Sequence, residues 1–332
     1  MSSVLKFTRI PIADKTAWIS ALQDFEPCAS HSWAFNHAFA DPNIELVVGR
    51  SDDLNVACPV THRIQSWGME VLSPLGYAGP IYNGRLRSIR QEWFDFWKSE
   101  GAVTGYLQLH PLLQADQMLL FDNEDAWVAN HNFTVDLTQT EAQFRSNLAR
   151  DHRARLNKWF RGTVVISEAP REKKVEAFVR LYQDFAERRG LSSLYTFEAD
   201  VLHQMCQNPN LEIIAAETAE GEIEAVSLFP YGTHGAYYYL NGATEAGQNH
   251  ARAILWTAML HFKSRGLQYL NLAGGIQTHD SLHNFKRRFG TTEHPTHALK
   301  QVYNAEVYER LCAQYQVETS RTGYFPPWRS RT

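Results

Sequence analysis

The sequence has few of the patterns that mark secreted, membrane-spanning or metal-binding proteins. Its 332 residues include four cysteines, and none of them belongs to a C-x-x-C pair. Such scattered cysteines predict free thiols in a reducing compartment and argue against a cysteine-based zinc site. The first fifteen residues lack the apolar core of a secretory signal, and nowhere do about 18 uncharged apolar residues occur together. We therefore expect a cytoplasmic protein without a membrane-spanning helix.

The chain also lacks an excess of positive charge and several familiar catalytic motifs. Lys and Arg together number 32 and Asp and Glu number 36, which gives a formal net charge of −4. This balance argues against a surface coated in positive charge for general nucleic-acid binding, although it allows a local basic cleft. The motifs G-x-S-x-G, G-x-x-x-x-G-K-[ST] and G-x-G-x-x-G are absent, so the hydrolase, P-loop and dinucleotide-binding classes lack their signatures.

Two histidine pairs are the candidates for a metal site. His279 and His283 are four residues apart, and His294 and His297 are three apart. Neither pair belongs to an H-E-x-x-H motif or has an evident acidic third ligand, so we expect no metal.

What the sequence does contain is enough apolar residues for two cores, 44% of the chain, and an order of elements that occurs twice. In each half, helices precede a series of strands, and a further helix and strand follow. We predict an α/β protein with mixed sheets in two domains, residues 1–137 and 138–332, both of ordinary domain size. After this boundary, the basic run TEAQFRSNLARDHRARLNKWFRG predicts one amphipathic helix with Thr140 as its N-cap and Gly162 as its stop.

The order of several segments resembles the Fem-type transferases, which carry two tandem domains of the GNAT (acyl-CoA N-acyltransferase-like) fold. The second half contains, in order, TVDLTQTEAQF with the arginine-rich helix after it, YYYLNGA, ARAILWTAMLHFKSRG, YLNLAGG and DSLHNFKRRFG. In the first half, SPLGYAGPIYNG is similar to a Gly/Pro-rich segment of the same group. The resemblance implies a first domain on the acceptor side and a second, catalytic domain on the donor side.

The resemblance implies an enzyme of the EC 2.3 class that transfers an acyl group to an amine of a bacterial cell-envelope precursor. In the peptidoglycan branch the donor is an aminoacyl-tRNA, and the acceptor is a nucleotide- or lipid-linked muropeptide. A sister branch of envelope polysaccharide pathways resembles acyl-CoA-dependent N-acyltransferases, which act on amino sugars or other amines. Either donor is a co-substrate, so no bound cofactor is expected. A lipid-linked acceptor would bring the protein into peripheral contact with a membrane.

The choice of donor depends on one segment, GATEAGQNHARAI. It lacks the dense glycine pattern with which GNAT enzymes hold the CoA diphosphate at a helix N-terminus. This departure favours aminoacyl-tRNA and leaves acyl-CoA open as the rival donor. A catalytically silent GNAT-like protein that binds a phosphorylated ligand or tRNA is the alternative from another functional class.

Lys286 lies where the family places a lysine near the reacting ester. Its ammonium group would stabilise the oxyanion that develops on the acyl carbonyl, or bind the donor's terminal phosphate and ribose. The alternative is that Lys286, Arg287 and Arg288 form a solvated helix face. Because Phe285 and Phe289 are four residues apart, they would share one buried face of that helix.

No general base is evident from the sequence. His279 and Asp280 are close to Lys286 along the chain, and Tyr238 and Tyr239 belong to one strand, so their side chains face opposite sides. Each could accept the proton of the amine, and the substrate itself is a further alternative. The catalytic candidates are Lys286, His279, Asp280 and Tyr239.

The remaining candidates would bind substrate. Guanidinium groups suit phosphate, and Arg153 best matches the position where an arginine of the family meets the acceptor's phosphates; a solvated basic helix is the alternative. Gly274 and Gly275 either let a ligand approach the end of a strand or simply turn the chain, and Trp33 is more typical of a core residue. The predicted binding residues are Arg150, Arg153, Arg155, Asn241, Gly274, Gly275, Tyr77, Trp33 and Asn36.

Overall fold

A computed structural model describes residues 4–192, 195–274 and 281–331. The elements of the first part of the chain are β1 (Lys6–Pro11), α1 (Lys15–Ala21), α2 (Trp33–His37), β2 (Glu45–Arg50), β3 (Leu54–Gln65), β4 (Gly68–Leu72), β5 (Ile81–Gly84), α3 (Arg90–Ser99), β6 (Ala102–Gln108), α4 (Gln114–Leu119) and β7 (Ala126–Asp136). The elements that follow are α5 (Glu141–Asn147), α6 (Arg150–Trp159), β8 (Val165–Ile166), α7 (Arg171–Arg189), α8 (Ala199–Cys206), β9 (Leu211–Glu217), β10 (Ile223–Pro230), β11 (Gly235–Tyr237), β12 (Asn241–Ala243), α9 (Ala251–Ser264), β13 (Tyr269–Asn271), α10 (Ser281–Arg287), β14 (Thr292–Val302) and α11 (Ala305–Gln314). Within these described stretches, no helix combines the length and the apolar character needed to cross a membrane.

The chain divides into two compact units whose limits differ from the expected boundary after Leu137. The first unit comprises Met1–His37, Asp41–Asn130 and Pro295–Thr332, and the second comprises Ala38–Ala40 and His131–His294. The end of the chain belongs to the first unit because β14 pairs with β6, in a register that runs from Ala298 opposite Gln108 to Val302 opposite Thr104. No pattern in the sequence indicates that the chain returns to the first unit after Pro295.

The first unit is built on strands in the order β1-β2-β3-β4-β6-β14, with β5 paired to the first part of β3. Neighbouring strands are antiparallel except β4 and β6. The apolar face of α3 packs on this sheet through Trp93 and Trp97, both fully buried with ring centres 5.7 Å apart. Large aromatic side chains of this kind supply much of the apolar area that a core buries.

The second unit contains two groups of paired strands that separate at one point of the chain. One group has the order β7-β13-β11, and the other is the antiparallel sheet β12-β10-β9-β8. The run AYYYLNGA resembles a single strand, but it crosses from one group to the other. The Tyr238 amide donates to the Asn271 carbonyl beside β13, at 2.8 Å, whereas the Tyr239 amide donates to the Leu228 carbonyl of β10, at 3.0 Å.

The predicted single basic helix is wrong, because the structure has two helices in its place. Thr140 is indeed the N-cap of α5 and forms a capping box with Gln143. Leu148 and Ala149 then adopt extended backbone with ψ values of 135° and 144°, and α6 begins at the next residue. The Ala149 amide donates to the Arg288 carbonyl at 3.0 Å. The local sequence favours a helix that continues through Ala149, but its amide instead forms this tertiary hydrogen bond, and the helix is interrupted there.

Candidate active site

The two strand groups of the second unit diverge at the end of β11. β11 and β13 are parallel, with Tyr237 opposite Asn271, so both strands end at the same edge. Tyr238 continues from β11, and residues 272–274 continue from β13. Ligands of α/β proteins commonly bind outside the carboxyl ends of strands, where neighbouring strands diverge.

Lys286 points its ammonium group at this edge. Its side chain is 4% exposed, and Nζ donates to the Gly274 carbonyl at 2.6 Å and lies 6.0 Å from the centre of the Tyr238 ring. A carbonyl oxygen and an aromatic face both stabilise a cation that burial has removed from water. Lys286 is therefore not part of a solvated helix face, which excludes the alternative interpretation of this residue.

The other charged residues of the same segment, unlike Lys286, do lie on a solvated face. Arg287 and Arg288 are exposed, and Arg288 pairs with Asp151 at 2.7 Å. Phe289 is buried, Phe285 is half-buried, and their ring centres are 5.3 Å apart. The expectation that the two phenylalanines anchor this helix on one face is confirmed.

The backbone between β13 and Gly274 is held in an uncommon conformation. Ala273 has φ of 58°, a left-handed value that costs free energy for a residue with a side chain. Two contacts fix it: the Ala273 amide donates to Oδ1 of buried Asn271 at 2.8 Å, and its carbonyl accepts from the Phe133 amide at 3.2 Å. This arrangement positions the Gly274 carbonyl that Lys286 meets. Gly275, His279 and Asp280 lie outside the described residues, and their roles stay predictions.

The tyrosines of the crossing segment face opposite sides, and the one beside Lys286 is Tyr238. Tyr238 packs into the core around Phe229, while Tyr239 packs against a different apolar cluster and its ring centre is 5.4 Å from that of Tyr237. Burial raises the pKa of Tyr238 to about 12 and raises the pKa of Tyr239 well above its ordinary value. A phenol held protonated in this way suits hydrogen-bond donation better than proton abstraction at neutral pH.

Two of the predicted binding arginines lie exposed on α6, and one is partly covered. Arg150 and Arg155 are exposed, whereas Arg153 is half-buried and donates to the Arg145 carbonyl at 3.3 Å. Asn241 is half-buried at the start of β12, opposite Ser227 of β10. Asn241 therefore lies three residues beyond Tyr238, on the far side of the strand separation.

Sequence reasoning missed two residues of this region, His152 and Arg252. The His152 imidazole is buried against the rings of Phe285 and Phe289, with ring centres 5.4 and 4.9 Å away. Burial, followed by the charge of Arg252, lowers the pKa of His152 to about 4. The Arg252 guanidinium lies 5.3 Å from the centre of the Phe285 ring. Arg252 falls in a mostly apolar stretch of sequence, so no local charge pattern marks it.

His283 belongs to α10, one turn before Lys286, and is buried. Its ring meets Phe133 edge to face at 4.7 Å, and its Nε2 is 3.9 Å from the carboxylate of Glu293. The same carboxylate is 3.1 Å from Nδ1 of His131. Across residues 4–192, 195–274 and 281–331, no group of three potential ligands has the geometry to hold a metal ion.

In the first unit, the Gly/Pro-rich segment is fixed by buried polar side chains. His31 Nε2 contacts the Gly79 carbonyl at 3.0 Å, and the Gln117 amide donates to the carbonyls of Ala78 and Pro80 at 2.8 and 3.1 Å. Burial lowers the pKa of His31 to about 4, so its imidazole is neutral and Nε2 carries the proton that it donates. Gly79 needs its positive φ of 64°, and a side chain there would collide with Gln117.

The three predicted binding residues of the first unit have largely structural surroundings. The Trp33 indole donates to the Ile12 carbonyl at 2.7 Å, and its ring stacks on His37 at 4.2 Å. Asn36 is fully buried and donates to the carbonyls of Ser30 and Ser32. Tyr77 is half-buried in the Gly/Pro-rich segment. Their contact with an acceptor stays a prediction.

Comparison with solved structures places this geometry in a known fold. FemX matches with a TM-score of 0.67 at 9% identity, over 92% of this chain and 99% of FemX. The chain has the Fem-type fold. The expected duplicated GNAT-like architecture with mixed sheets is thereby confirmed.

Two further solved structures have this fold. The C-terminal domain of a lysylphosphatidylglycerol synthetase from Agrobacterium fabrum has a TM-score of 0.61 at 14% identity, over 94% of this chain and all of that domain. L-PGS from Bacillus licheniformis has a TM-score of 0.59 at 14% identity, over 93% of this chain and 98% of that chain. No protein-family model matches the chain, and a search of curated proteins finds no match.

Proposed function

We propose that this protein is an acyltransferase that moves an acyl group, most simply an aminoacyl group from aminoacyl-tRNA, to an amine of a cell-envelope precursor. The observation that carries the proposal is the buried ammonium group of Lys286 at the separation of the strands, beside Gly274 and Tyr238. The Fem-type fold supports it, and one relative with this fold is named for joining lysine to phosphatidylglycerol.

The chemistry requires a positive charge at one position. The amine nitrogen attacks the acyl carbonyl, a C–N bond forms, and a negative charge develops on the carbonyl oxygen. The bond to the leaving oxygen of the ester (or the sulfur of a thioester) then breaks, and the proton lost by the amine ends on that leaving atom. A preorganised cation that meets the developing oxyanion lowers the barrier and raises the rate, typically by a factor of about 10²–10³ for one donor. In our proposal Lys286 supplies this cation.

The tyrosine beside Lys286 is better suited to donate a hydrogen bond than to abstract a proton. A tyrosine phenol is protonated near pH 7, and burial raises the pKa of Tyr238 further, so we propose that Tyr238, the one beside Lys286, donates a hydrogen bond that orients the substrate. The base stays among His279, Asp280 and the substrate itself. The segment before α9 departs from the glycine-rich pattern of CoA-binding GNAT enzymes, which is the reason to place aminoacyl-tRNA ahead of acyl-CoA.

The experiment combines a donor screen with a charge-removing variant. Purified protein is incubated with charged tRNA or acetyl-CoA and with a muropeptide or amino-sugar acceptor, and products are identified by mass spectrometry. Lys286→Met keeps the length of the buried side chain and removes its charge, so turnover should fall by about 10²–10³ while the fold is kept. Arg287→Gln, one residue away and exposed, is the matched control and should leave turnover near the wild-type value.

Three results would count against the proposal. Wild-type turnover in Lys286→Met would refute the assigned role of Lys286. Transfer from acetyl-CoA alone would replace tRNA by CoA as the donor. Binding of a donor without any product, across the acceptors tested, would support the non-catalytic alternative.

A further inference from the structure

Three arginines from three parts of the second unit converge on one place, which we call the arginine corner: Arg155 of α6, Arg252 of α9 and Arg288 after α10. Of the three, Arg252 lies over a small aromatic core that also contains His152. The His152 ring of α6 is 5.4 Å from the Phe285 ring of α10, and the Arg252 guanidinium is 5.3 Å from that same ring. Arg288 is fixed beside them, because its carbonyl accepts from the amide that precedes α6.

The arginine corner carries more positive charge than its nearest acid neutralises. Asp151 pairs with Arg288 at 2.7 Å and precedes Arg155 by one helical turn. Over the described ranges, no ion pair joins a carboxylate to Arg155 or Arg252, and Nε of Arg252 is buried without a hydrogen-bond partner. One carboxylate thus faces three guanidinium groups.

This imbalance is costly for the protein alone. A buried N–H group that lacks an acceptor loses the free energy of its hydration. Burial, reinforced by the charge of Arg155 and then of Arg288, lowers the pKa of Arg252, and all three arginines lower the pKa of His152. An anion placed among the three arginines would relieve both the repulsion and the missing hydrogen bond.

We propose that the arginine corner binds a phosphate group of the nucleotide-bearing donor. Guanidinium groups present paired N–H donors in a plane, which match the oxygens of a phosphate, and three of them surround it better than ammonium groups would. The inference rests on the proposed function, because it assumes a donor that carries phosphate.

Part of the arginine corner and Lys286 belong to the same short segment, residues 285–288. Arg288 follows Lys286 by two residues, and Phe285, the ring beneath Arg252, immediately precedes it. In an aminoacyl-tRNA the ester is carried by the same nucleotide as the last phosphodiester. In acyl-CoA the pantetheine arm separates the thioester from the diphosphate. Because both sites draw on the segment 285–288, we favour the 3′ end of tRNA as the source of the phosphate, and the CoA diphosphate is the other source of the same chemistry.

The test measures binding rather than turnover. The probes are an uncharged RNA oligonucleotide that ends in CCA and coenzyme A, and affinities are taken over a range of salt concentrations. Arg252→Gln should weaken binding of the RNA about tenfold or more, and the slope of log K against log salt should fall by about 0.7 for one lost phosphate contact. The matched control is Arg265→Gln, because this exposed residue stacks on Tyr231 near the other end of α9, about 20 Å away.

Each outcome is decisive. Weaker binding of CoA instead of RNA would also support the arginine corner and assign it to the CoA diphosphate. Unchanged binding of both probes by Arg252→Gln, or equal loss in Arg265→Gln, would overturn the proposal. Arg155→Gln, at an exposed position that folding does not depend on, should repeat the loss if Arg252→Gln proves unstable.

The two proposals fail separately. If Lys286→Met loses turnover but Arg252→Gln keeps its affinity for both probes, the acyltransferase assignment stands and the arginine corner falls. If Lys286→Met keeps full turnover while Arg252→Gln loses affinity, the phosphate site stands and the role of Lys286 falls.

Discussion

Lowering the pH from 7 to 5 should destabilise the second unit through His152, and the variant His152→Leu should lose that sensitivity. The His152 side chain is 2% exposed and lies against Phe285 and Phe289, beneath the arginine corner. Burial and the charge of Arg252, with smaller effects of the other two arginines, lower the pKa of His152 from 6.5 to about 4. The native protein therefore holds this imidazole neutral well below neutral pH.

The direction of this pH effect on stability depends on how many protons the native and unfolded states bind. In the unfolded chain the His152 imidazole regains its ordinary pKa and binds a proton as the pH falls below about 6.5, whereas in the native state it binds one only near pH 4. The stabilisation is therefore complete above about pH 6.5 and is lost as the pH falls toward 4. Protonation has little effect on the free energy of unfolding at pH 7 and lowers it by about 2 kcal/mol at pH 5.

The assay compares urea unfolding of the wild type and His152→Leu at pH 7 and pH 5, followed by circular dichroism. Leucine has a similar volume and cannot bind a proton. Because Nδ1 of His152 is buried without a hydrogen-bond partner, the variant should stay within about 1 kcal/mol of the wild type at pH 7. Between pH 7 and pH 5 the wild type should lose about 2 kcal/mol more than the variant. Since Asp151 and the other titrating groups are common to both proteins, an equal loss in both would refute a neutral, buried His152.

Two further predictions concern the stability of each unit. Gly242→Ala should cost about 1–3 kcal/mol in urea unfolding, because a Cβ there would lie 2.6 Å from the Tyr182 backbone nitrogen; an unchanged midpoint would contradict this close packing of β12 on α7. Arg329→Met should cost about 3 kcal/mol, since it leaves the buried carboxylate of Glu70 without the guanidinium that bonds it at 3.0–3.2 Å. A second substitution, Glu70→Gln, should restore part of that loss, and failure to do so would show that the charge is not the cause.

The order of the segments was enough to predict the fold. The prediction of a single basic helix was wrong because the Ala149 amide forms a tertiary hydrogen bond. The N-cap at Thr140 is readable because a capping box uses residues three apart. The break at Ala149 is not readable, because it depends on the Arg288 carbonyl, which lies far along the sequence. The same limit explains why the chain's return to the first unit after Pro295 escaped prediction.

The sequence indicated the types of residue at the candidate site but not which of them lie together. Strand alternation shows that Tyr238 and Tyr239 face opposite sides, but only the pairing of β11 with β13 decides which one meets Lys286. A similar limit applies to Arg252, because an isolated arginine in an apolar helix is typical of a surface residue. It becomes notable once helix packing brings it beside the charges of α6 and α10.

The position of the Lys286 ammonium depends on residues that take no part in the chemistry. A helix of seven residues such as α10 is not stable by itself, so its tertiary contacts must hold it. Phe285 and Phe289 anchor one face on His152, and Gly290 ends the segment with φ of 70°, where a Cβ would lie 2.5 Å from Cβ of Asn147. The glycine lets the chain pass close to α5 immediately after the helix. The aromatic pair and this glycine thus hold the helix so that His283 and Lys286 are its buried positions, one turn apart.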